Sequence, residues 1–290
     1  MKTKNLISMQ DLSKEDLENL FKLTDELKNK TMQKNGKTAA LLFNRPSTRT
    51  HVSFDVALNQ LGYSTTYLDY VFTQLVRGEK LKDSAKAISQ YVNLIIARLV
   101  PHSMLEELAK YSDVPVINAG SDLEHPCQAL GDLYTIKEAH GSKLKAGSKI
   151  VFVGDPRDAV ANSLSIGAQA LGLKFIYLCP KGYYPSNKKA DVSSDLKIVK
   201  DASIIYTNAW PRELNEEATE IMRDFLSYQV NEQMLAQAPK DVLIMHPLPA
   251  FRGLEISDAA LDSKNSLVWQ QVKNRLYVQK AVITALSNGQ

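Results

Sequence analysis

The sequence predicts an α/β protein built on parallel sheets, and three observations carry that prediction. Short apolar runs of strand length alternate with amphipathic stretches of helix length along most of the chain. The alternation pauses once, in the polar segment Gly141–Gly147, and restarts at Lys149-Ile150-Val151-Phe152-Val153. At 290 residues with 44% hydrophobic content, the chain is long enough for two domains with cores of their own, and disordered and fibrous classes are excluded.

Ser13, with Asp16 three residues on, reads as a capping box opening an amphipathic helix whose apolar stripe includes Leu17, Leu20 and Phe21. Thr38–Phe43 is an apolar strand stopped by Asn44-Arg45-Pro46. Val52, Phe54, Ala57, Leu58 and Leu61 then recur at helical spacing until Gly62 ends the helix. The same pattern predicts strand Ser64–Leu68, helix Asp83–Tyr91, strand Leu94–Ala97, helix His102–Tyr111, strand Val114–Asn118 and helix Pro126–Ala139. Beyond the polar boundary it predicts strand Lys149–Val153, helix Ala159–Leu171 and strands Lys174–Leu178, Ser203–Thr207 and Val242–Met245. Helices Glu216–Leu226 and Asn231–Ala236 fall between the last two strands. A final helix, Ser266–Ser287, places Val272, Leu276, Ala281, Val282 and Leu286 on one side.

Lysine and arginine number 35 against 32 aspartates and glutamates, a net charge of +3 with no charged block, which argues for neither a nucleic-acid nor a membrane-surface partner, and none is expected. No window approaches the roughly 18 apolar residues of a membrane span, and the N-terminal stretch has no apolar signal region. A soluble, cytoplasmic protein is expected. The only cysteines are Cys127 and Cys179, without a C-x-x-C or paired histidines at ligand spacing, so neither a disulfide framework nor a metal site is expected.

Ser47-Thr48-Arg49-Thr50 packs three hydroxyls and a guanidinium into a strand-to-helix turn. Free backbone N–H groups and the positive end of the helix dipole converge at such a turn, so it reads either as a phosphate or carboxylate site or as a plain helix cap. Arg98 ends a strand and is either a solvated strand end or an anion ligand. Glu124-His125-Pro126-Cys127-Gln128-Ala129-Leu130 also lies at a carboxyl edge, where ligands of open α/β sheets collect. His125 there is either structural or catalytic, and Cys127 has no assignable base to make it a nucleophile. Gly154-Asp155-Pro156-Arg157 departs from the dinucleotide-binding pattern, and no P-loop is present. Two prolines bracket Leu248 in His246-Pro247-Leu248-Pro249, which reads as a simple turn or as a rigid loop presenting a carbonyl.

Taken together and in order, these motifs resemble those of the aspartate and ornithine carbamoyltransferases. Ser47-Thr48-Arg49-Thr50 looks like the family's S-T-R-T loop, His125-Pro126-Cys127-Gln128-Ala129-Leu130 like H-P-x-Q-A-L, and His246-Pro247-Leu248-Pro249 like H-x-L-P. Asn274-Arg275 with Val278-Gln279 is similar to its C-terminal motif. The resemblance spans essentially the whole chain. It implies two doubly wound parallel-sheet domains: a carbamoyl phosphate domain over 1–140, closed by a C-terminal helix 266–290, and an amino acid domain over 148–265. It also implies a homotrimer or a multiple of trimers, with Gln74 supplied by a neighbouring subunit, and a carbamoyl transfer belonging to arginine biosynthesis that needs no metal or organic cofactor.

By the same resemblance, the phosphate falls to Ser47, Thr48, Arg49, Thr50 and Arg98, and the carbonyl oxygen to Thr50, Arg98 and His125. Gln128 and the Leu248 carbonyl would hold the carbamoyl NH2, and Arg275 would close on the same ligand. Thr50, Arg98 and His125 are thus the expected catalytic residues. The departures concern the acceptor. Ornithine enzymes usually carry Asn-Asn-Val after the G-D turn, Asp-x-Trp after a later strand and then Ser-Met-Gly. This chain has Asp158-Ala159-Val160, Asn208-Ala209-Trp210 and Pro211-Arg212-Glu213-Leu214. Pro247 also replaces the usual cysteine of H-C-L-P. Asp158, Ala159, Asn208, Trp210, Arg212 and Pro247 are the expected acceptor residues. Ornithine is the first candidate; putrescine, diaminopropionate or aspartate, or a non-catalytic protein that binds carbamoyl phosphate, are the alternatives.

Overall fold

Strand β1 (Thr38–Phe43) is buried from Ala39 to Phe43, as an uninterrupted apolar run requires when a strand is covered on both faces. It lies between β2 (Ser64–Asp69) and β3 (Leu94–Arg98), and β4 (Val116–Asn118) follows β3, all parallel in the order β2-β1-β3-β4. The crossovers run through α2 (Thr48–Gln60), α3 (Leu81–Ser89) and α4 (His102–Tyr111). β2 is an edge strand and correspondingly polar. Beside β4 the segment around Leu6 adds a short parallel bridge: the Leu6 N–H donates to Val116 O at 2.9 Å, and the Asn118 N–H to Leu6 O at 2.8 Å. Ahead of β1, α1 (Lys14–Leu27) begins with the expected capping box of Ser13 and Asp16.

This computed structural model describes residues 3–141, 144–185, 190–210 and 216–287. The chain divides into two compact units, Met1–Tyr134 with Asn274–Gln290, and Thr135–Lys273. The divisions fall inside α5 (Pro126–His140) and α10 (Val268–Ser287).

The second unit contains β5 (Lys149–Val153), α6 (Ala159–Ala170), β6 (Lys174–Leu178), β7 (Asp191–Ser193), β8 (Ile204–Thr207), α7 (Glu216–Phe225), α8 (Glu232–Leu235), β9 (Leu243–Met245) and α9 (Asp258–Leu261). Its sheet is parallel in the order β7-β6-β5-β8-β9. β7 and α9 lie outside the elements expected from sequence. Three and four residues long respectively, they are too short to show a period, and β7 is a polar edge strand. β4 starts at Val116, two residues later than expected.

Both sheets reverse direction once. The chain leaves β1 toward β2 and returns to β3 on the other side; it leaves β5 toward β6 and returns to β8. The carboxyl ends of β1 and β3, and of β5 and β8, therefore flank crevices where ligands bind in open parallel sheets.

Gly62 takes φ +83° just after α2, and a Cβ built there would lie 2.1 Å from Gln33 O. Gly62→Ala is therefore expected to destabilise the fold by more than about 1 kcal/mol, because it combines left-handed strain with a backbone clash. Urea unfolding measures this; an unchanged midpoint contradicts it.

Candidate active site

The pairing of Phe43 with Arg98 brings the carboxyl ends of β1 and β3 side by side. Asn44 fastens the two loops. Its side-chain amide donates to Val100 O at 2.8 Å, its Oδ1 accepts the Val100 N–H at 3.0 Å, and its own N–H donates to Arg98 O at 3.0 Å. Ser47 precedes α2 in an extended conformation, but its hydroxyl makes no cap hydrogen bond and instead donates to Thr50 Oγ1 at 2.8 Å. The Ser47 side chain therefore does not cap α2, and the first turn keeps its backbone donors clear of it.

Thr50 is buried, and its Oγ1 also receives a close hydrogen bond from Arg275 Nη2 of α10. The same guanidinium nitrogen lies 3.5 Å from His125 Nε2, at the start of α5. Arg98 Nη1 donates to Ala119 O at 3.3 Å. Gly120 leaves room for that guanidinium: it has φ +125°, and a Cβ there would fall 2.2 Å from Arg98 Nη1 and 3.2 Å from His125 Cδ2.

Positive charge is concentrated here. Burial pushes the Arg275 guanidinium down to about 10; the charges of Arg98 and Arg49 act the same way, while Cys127 and Asp132 oppose them. Arg98 is lowered by burial and then by the charge of Arg49, and Arg49 by burial. His125 is held well below the usual imidazole range by burial, then by Arg275 and Arg98, so it is neutral at pH 7. The Nε atoms of Arg98 and Arg275 are buried without a hydrogen-bond partner among the described residues. Buried donors and like charges gathered this closely fit a multiply charged anion. Cys127, by contrast, is fully buried with its thiol pushed up to about 12, which removes it as a nucleophile.

Gln128 is buried, and its amide nitrogen donates to Asp132 Oδ1 at 2.8 Å. Gln74 lies apart from this group, exposed on the turn Gln74–Arg77. Val71, Phe72 and Val76 around it are also exposed, Phe72 by 87%.

In the second unit, Asp158 caps α6 by accepting the Ala161 N–H at 2.8 Å, and its other oxygen accepts from Asn208 Nδ2 at 2.8 Å. Burial raises the Asp158 carboxyl to about 6, with Asp155 adding to the shift and hydrogen bonds from Ala161, Asn208 and Val160 opposing it. Ala159 is the first residue of α6. Trp210 is buried in the core with its ring centroid 5.9 Å from that of Phe225. Arg212 lies outside the described residues. The 246–249 loop is held from within: the Leu248 N–H donates to His246 Nδ1 at 2.9 Å, which leaves the ring proton on Nε2, 3.1 Å from Glu255 Oε1. His246 and Glu255 are fully buried, Pro247 is buried, and Leu248 adopts φ +58°, rare for a side chain of its size.

Asn44 and Gly120 are absent from the residues expected from sequence. Asn44 directly follows β1 and Gly120 lies two residues beyond β4, both at the carboxyl edge of the sheet, which is the signal that marks them. Gly120→Ala is expected to displace the Arg98 guanidinium and weaken binding of inorganic phosphate by about tenfold, the equivalent of one charge-assisted hydrogen bond of roughly 1.5 kcal/mol. Calorimetric titration of the folded variant checks this; equal affinity would contradict it.

Residues 4–138 match the aspartate/ornithine carbamoyltransferase carbamoyl-P binding domain, and residues 146–286 match the family's Asp/Orn binding domain. The ornithine carbamoyltransferase of Methanococcus aeolicus is 40% identical over 299 residues, covering 96% of this chain and 97% of that protein. That of Pyrococcus abyssi is 41% identical over 313 residues, covering 100% and 97%. The solved structure of ornithine carbamoyltransferase from Pyrococcus furiosus superposes with a TM-score of 0.89 at 39% identity, covering 97% of this chain and 96% of that one. The Thermus thermophilus enzyme gives 0.91 at 35% identity, covering 99% of each. With two parallel sheets, a cluster of buried and half-buried arginines on the first and both domain models matched in order, the chain belongs to the aspartate/ornithine carbamoyltransferase family.

Proposed function

We propose that this protein is an ornithine carbamoyltransferase, moving the carbamoyl group of carbamoyl phosphate to the side-chain amine of ornithine to give citrulline and phosphate. The observation that carries the reading is the set of guanidiniums of Arg49, Arg98 and Arg275 near the N-terminal turn of α2, with Thr50 and neutral His125 among them. Relatives about 40% identical over nearly the full chain bear that enzyme's name, and the one from Pyrococcus furiosus is called anabolic, which supports a place in arginine biosynthesis. The reading extends to a cytoplasmic enzyme.

In this reading Ser47, Thr48, Arg49, Thr50 and Arg98 hold the phosphate, and Gln128 accepts from the carbamoyl NH2. Thr50, Arg98 and His125 donate to the carbamoyl oxygen, on which negative charge grows as the amine attacks. A neutral imidazole donates there without having to release its proton. The amine nitrogen bonds to the carbonyl carbon, the bond from that carbon to the phosphate oxygen breaks, and the departing phosphate takes the amine proton. Arg275 closes on the phosphate as charge leaves with it.

The acceptor is held by the second unit through Asp158, whose carboxylate pairs with the substrate ammonium. The same observation favours a second reading. A carboxylate at 158 and an amide at 208 reverse the arrangement expected of an ornithine enzyme, so a different amine is the competing substrate. Asp158 ionises at about 6, so kcat/KM for the acceptor is expected to rise as pH passes upward through 6, and Asp158→Asn is expected to remove that limb. A further rise toward alkaline pH is expected as the attacking amine, with a pKa of about 10, loses its proton. Ornithine, putrescine, diaminopropionate and aspartate compared across this range decide the acceptor. Preference for any of the other three overturns the ornithine assignment.

The exposed Val71, Phe72 and Val76 around Gln74 support a homotrimer in which Gln74 completes the site of a neighbour. Mixing Gln74→Ala and Arg98→Ala subunits, each inactive alone, is expected to restore part of the activity. Absence of recovery in verified mixed trimers argues against the shared site.

A further inference from the structure

His125 reaches Arg275 and lies beside Arg98 and Gly120, yet the loop that delivers it, residues 119–125, has little regular structure of its own. Both ends of that loop are gripped by one short segment near the N-terminus. At the entrance, the Asn118 N–H donates to Leu6 O at 2.8 Å and its side-chain amide to Ile7 O at 2.8 Å. At the exit, Glu124 Oε1 accepts the Ser8 hydroxyl at 2.6 Å and Oε2 accepts the Met9 N–H at 2.9 Å. Glu124 is 3% exposed, and Leu6 and Met9 are buried. The segment is itself fastened, since Asp11 Oδ2 accepts the Ile7 N–H at 2.8 Å and the Ser8 N–H at 2.9 Å. Within the loop, Glu124 O accepts the Ser121 N–H at 2.9 Å and the Ser121 hydroxyl at 3.1 Å.

A buried carboxylate costs desolvation free energy, which its hydrogen bonds must offset. The donors Ser8 and Met9 belong to a segment more than a hundred residues away in sequence, and Glu124 immediately precedes His125. We propose that Glu124 is a positioning residue for carbamoyl transfer: the Leu6–Met9 segment, through Ser8 and Met9, fixes Glu124 and so sets where the His125 imidazole stands relative to Arg98 and Arg275. This rests on the role given to His125 under the proposed function. The N-terminal segment thereby acts on the site only through Glu124.

The test is a double-mutant cycle on the full-length enzyme, following kcat and both KM values. Glu124→Ala is expected to lower kcat/KM for carbamoyl phosphate by about tenfold to a hundredfold, the usual consequence of a catalytic group displaced by roughly 1 Å, with KM for the acceptor unchanged. Glu124→Gln is expected to recover most of the loss, because its amide oxygen still accepts from Met9 and its NH2 donates to the Ser8 oxygen. In a His125→Ala background, Glu124→Ala is expected to have little further effect on kcat, since groups acting through one another are non-additive. Ser8→Ala supplies the same cycle should Glu124→Ala not fold. Wild-type kinetics in the folded variants, or an equal loss in both backgrounds, overturns the proposal. Undiminished turnover in His125→Ala alone is a distinct result: it overturns the role of His125 itself, and the positioning role with it.

Discussion

The first unit is organised around the confinement of like charge. Arg49, Arg98 and Arg275 come from three separate parts of the chain, and each is made less comfortable as a cation by burial, Arg98 and Arg275 also by their neighbours' charges. Such a cluster persists only if the fold holds each group in place and an anion offsets the repulsion when it binds. The surrounding structure does the holding. Asn44 ties the loop after β1 to the loop after β3, and Gly120 gives the Arg98 guanidinium its space. Gly131 lets α5 approach α10 closely: a Cβ there would lie 3.3 Å from the Cα of Arg275. Burial first, and then the charges of Arg275 and Arg98, also hold the imidazole of His125 neutral at pH 7.

The second unit solves a different problem. Two polar pairs stand out there: Asp158 with Asn208, and His246 with Glu255. The buried His246–Glu255 pair is a structural device that shapes the loop carrying Pro247 and Leu248, because accepting the Leu248 N–H on Nδ1 stabilises a backbone conformation that a leucine otherwise avoids. Asp158 keeps a carboxyl near neutrality, so its charge is sensitive to what lies beside it. The first unit thus gathers fixed positive charge, and the second holds a buried carboxyl raised to about 6. That division matches the family's two domain models, one for carbamoyl phosphate and one for the amino acid.

Much of this was legible in the residue order. The parallel α/β class followed from the alternation of short apolar runs with amphipathic stretches, since strands covered on both faces have apolar interiors, as Ala39–Phe43 of β1, Leu94–Ala97 of β3 and Ile150–Val153 of β5 show. The capping box at Ser13 and the end of α2 near Gly62 are local devices, and the structure has both. Ser47 to Thr50, Arg98 and His125 were readable as candidates because each sits at the carboxyl end of a strand or the start of a helix. The elements that escaped, β7 and α9, are too short to show periodicity.

What the sequence by itself determined is therefore the fold class, the order of most elements and the residue types that could bind an anion, because these depend on neighbours within a few positions along the chain. Only the tertiary structure decided which of them meet. Strand order places Arg98 beside Phe43, and the return of α10 brings Arg275 to Thr50 across 225 positions. It also decided that the Ser47 hydroxyl bonds Thr50 rather than capping its helix, that Trp210 serves the core, and that Asp158 holds Asn208. Burial sets the state of His125 and of Asp158, joined at His125 by the charges of Arg275 and Arg98 and at Asp158 by the amide of Asn208, and these surroundings are assembled from far along the chain, which no local pattern records.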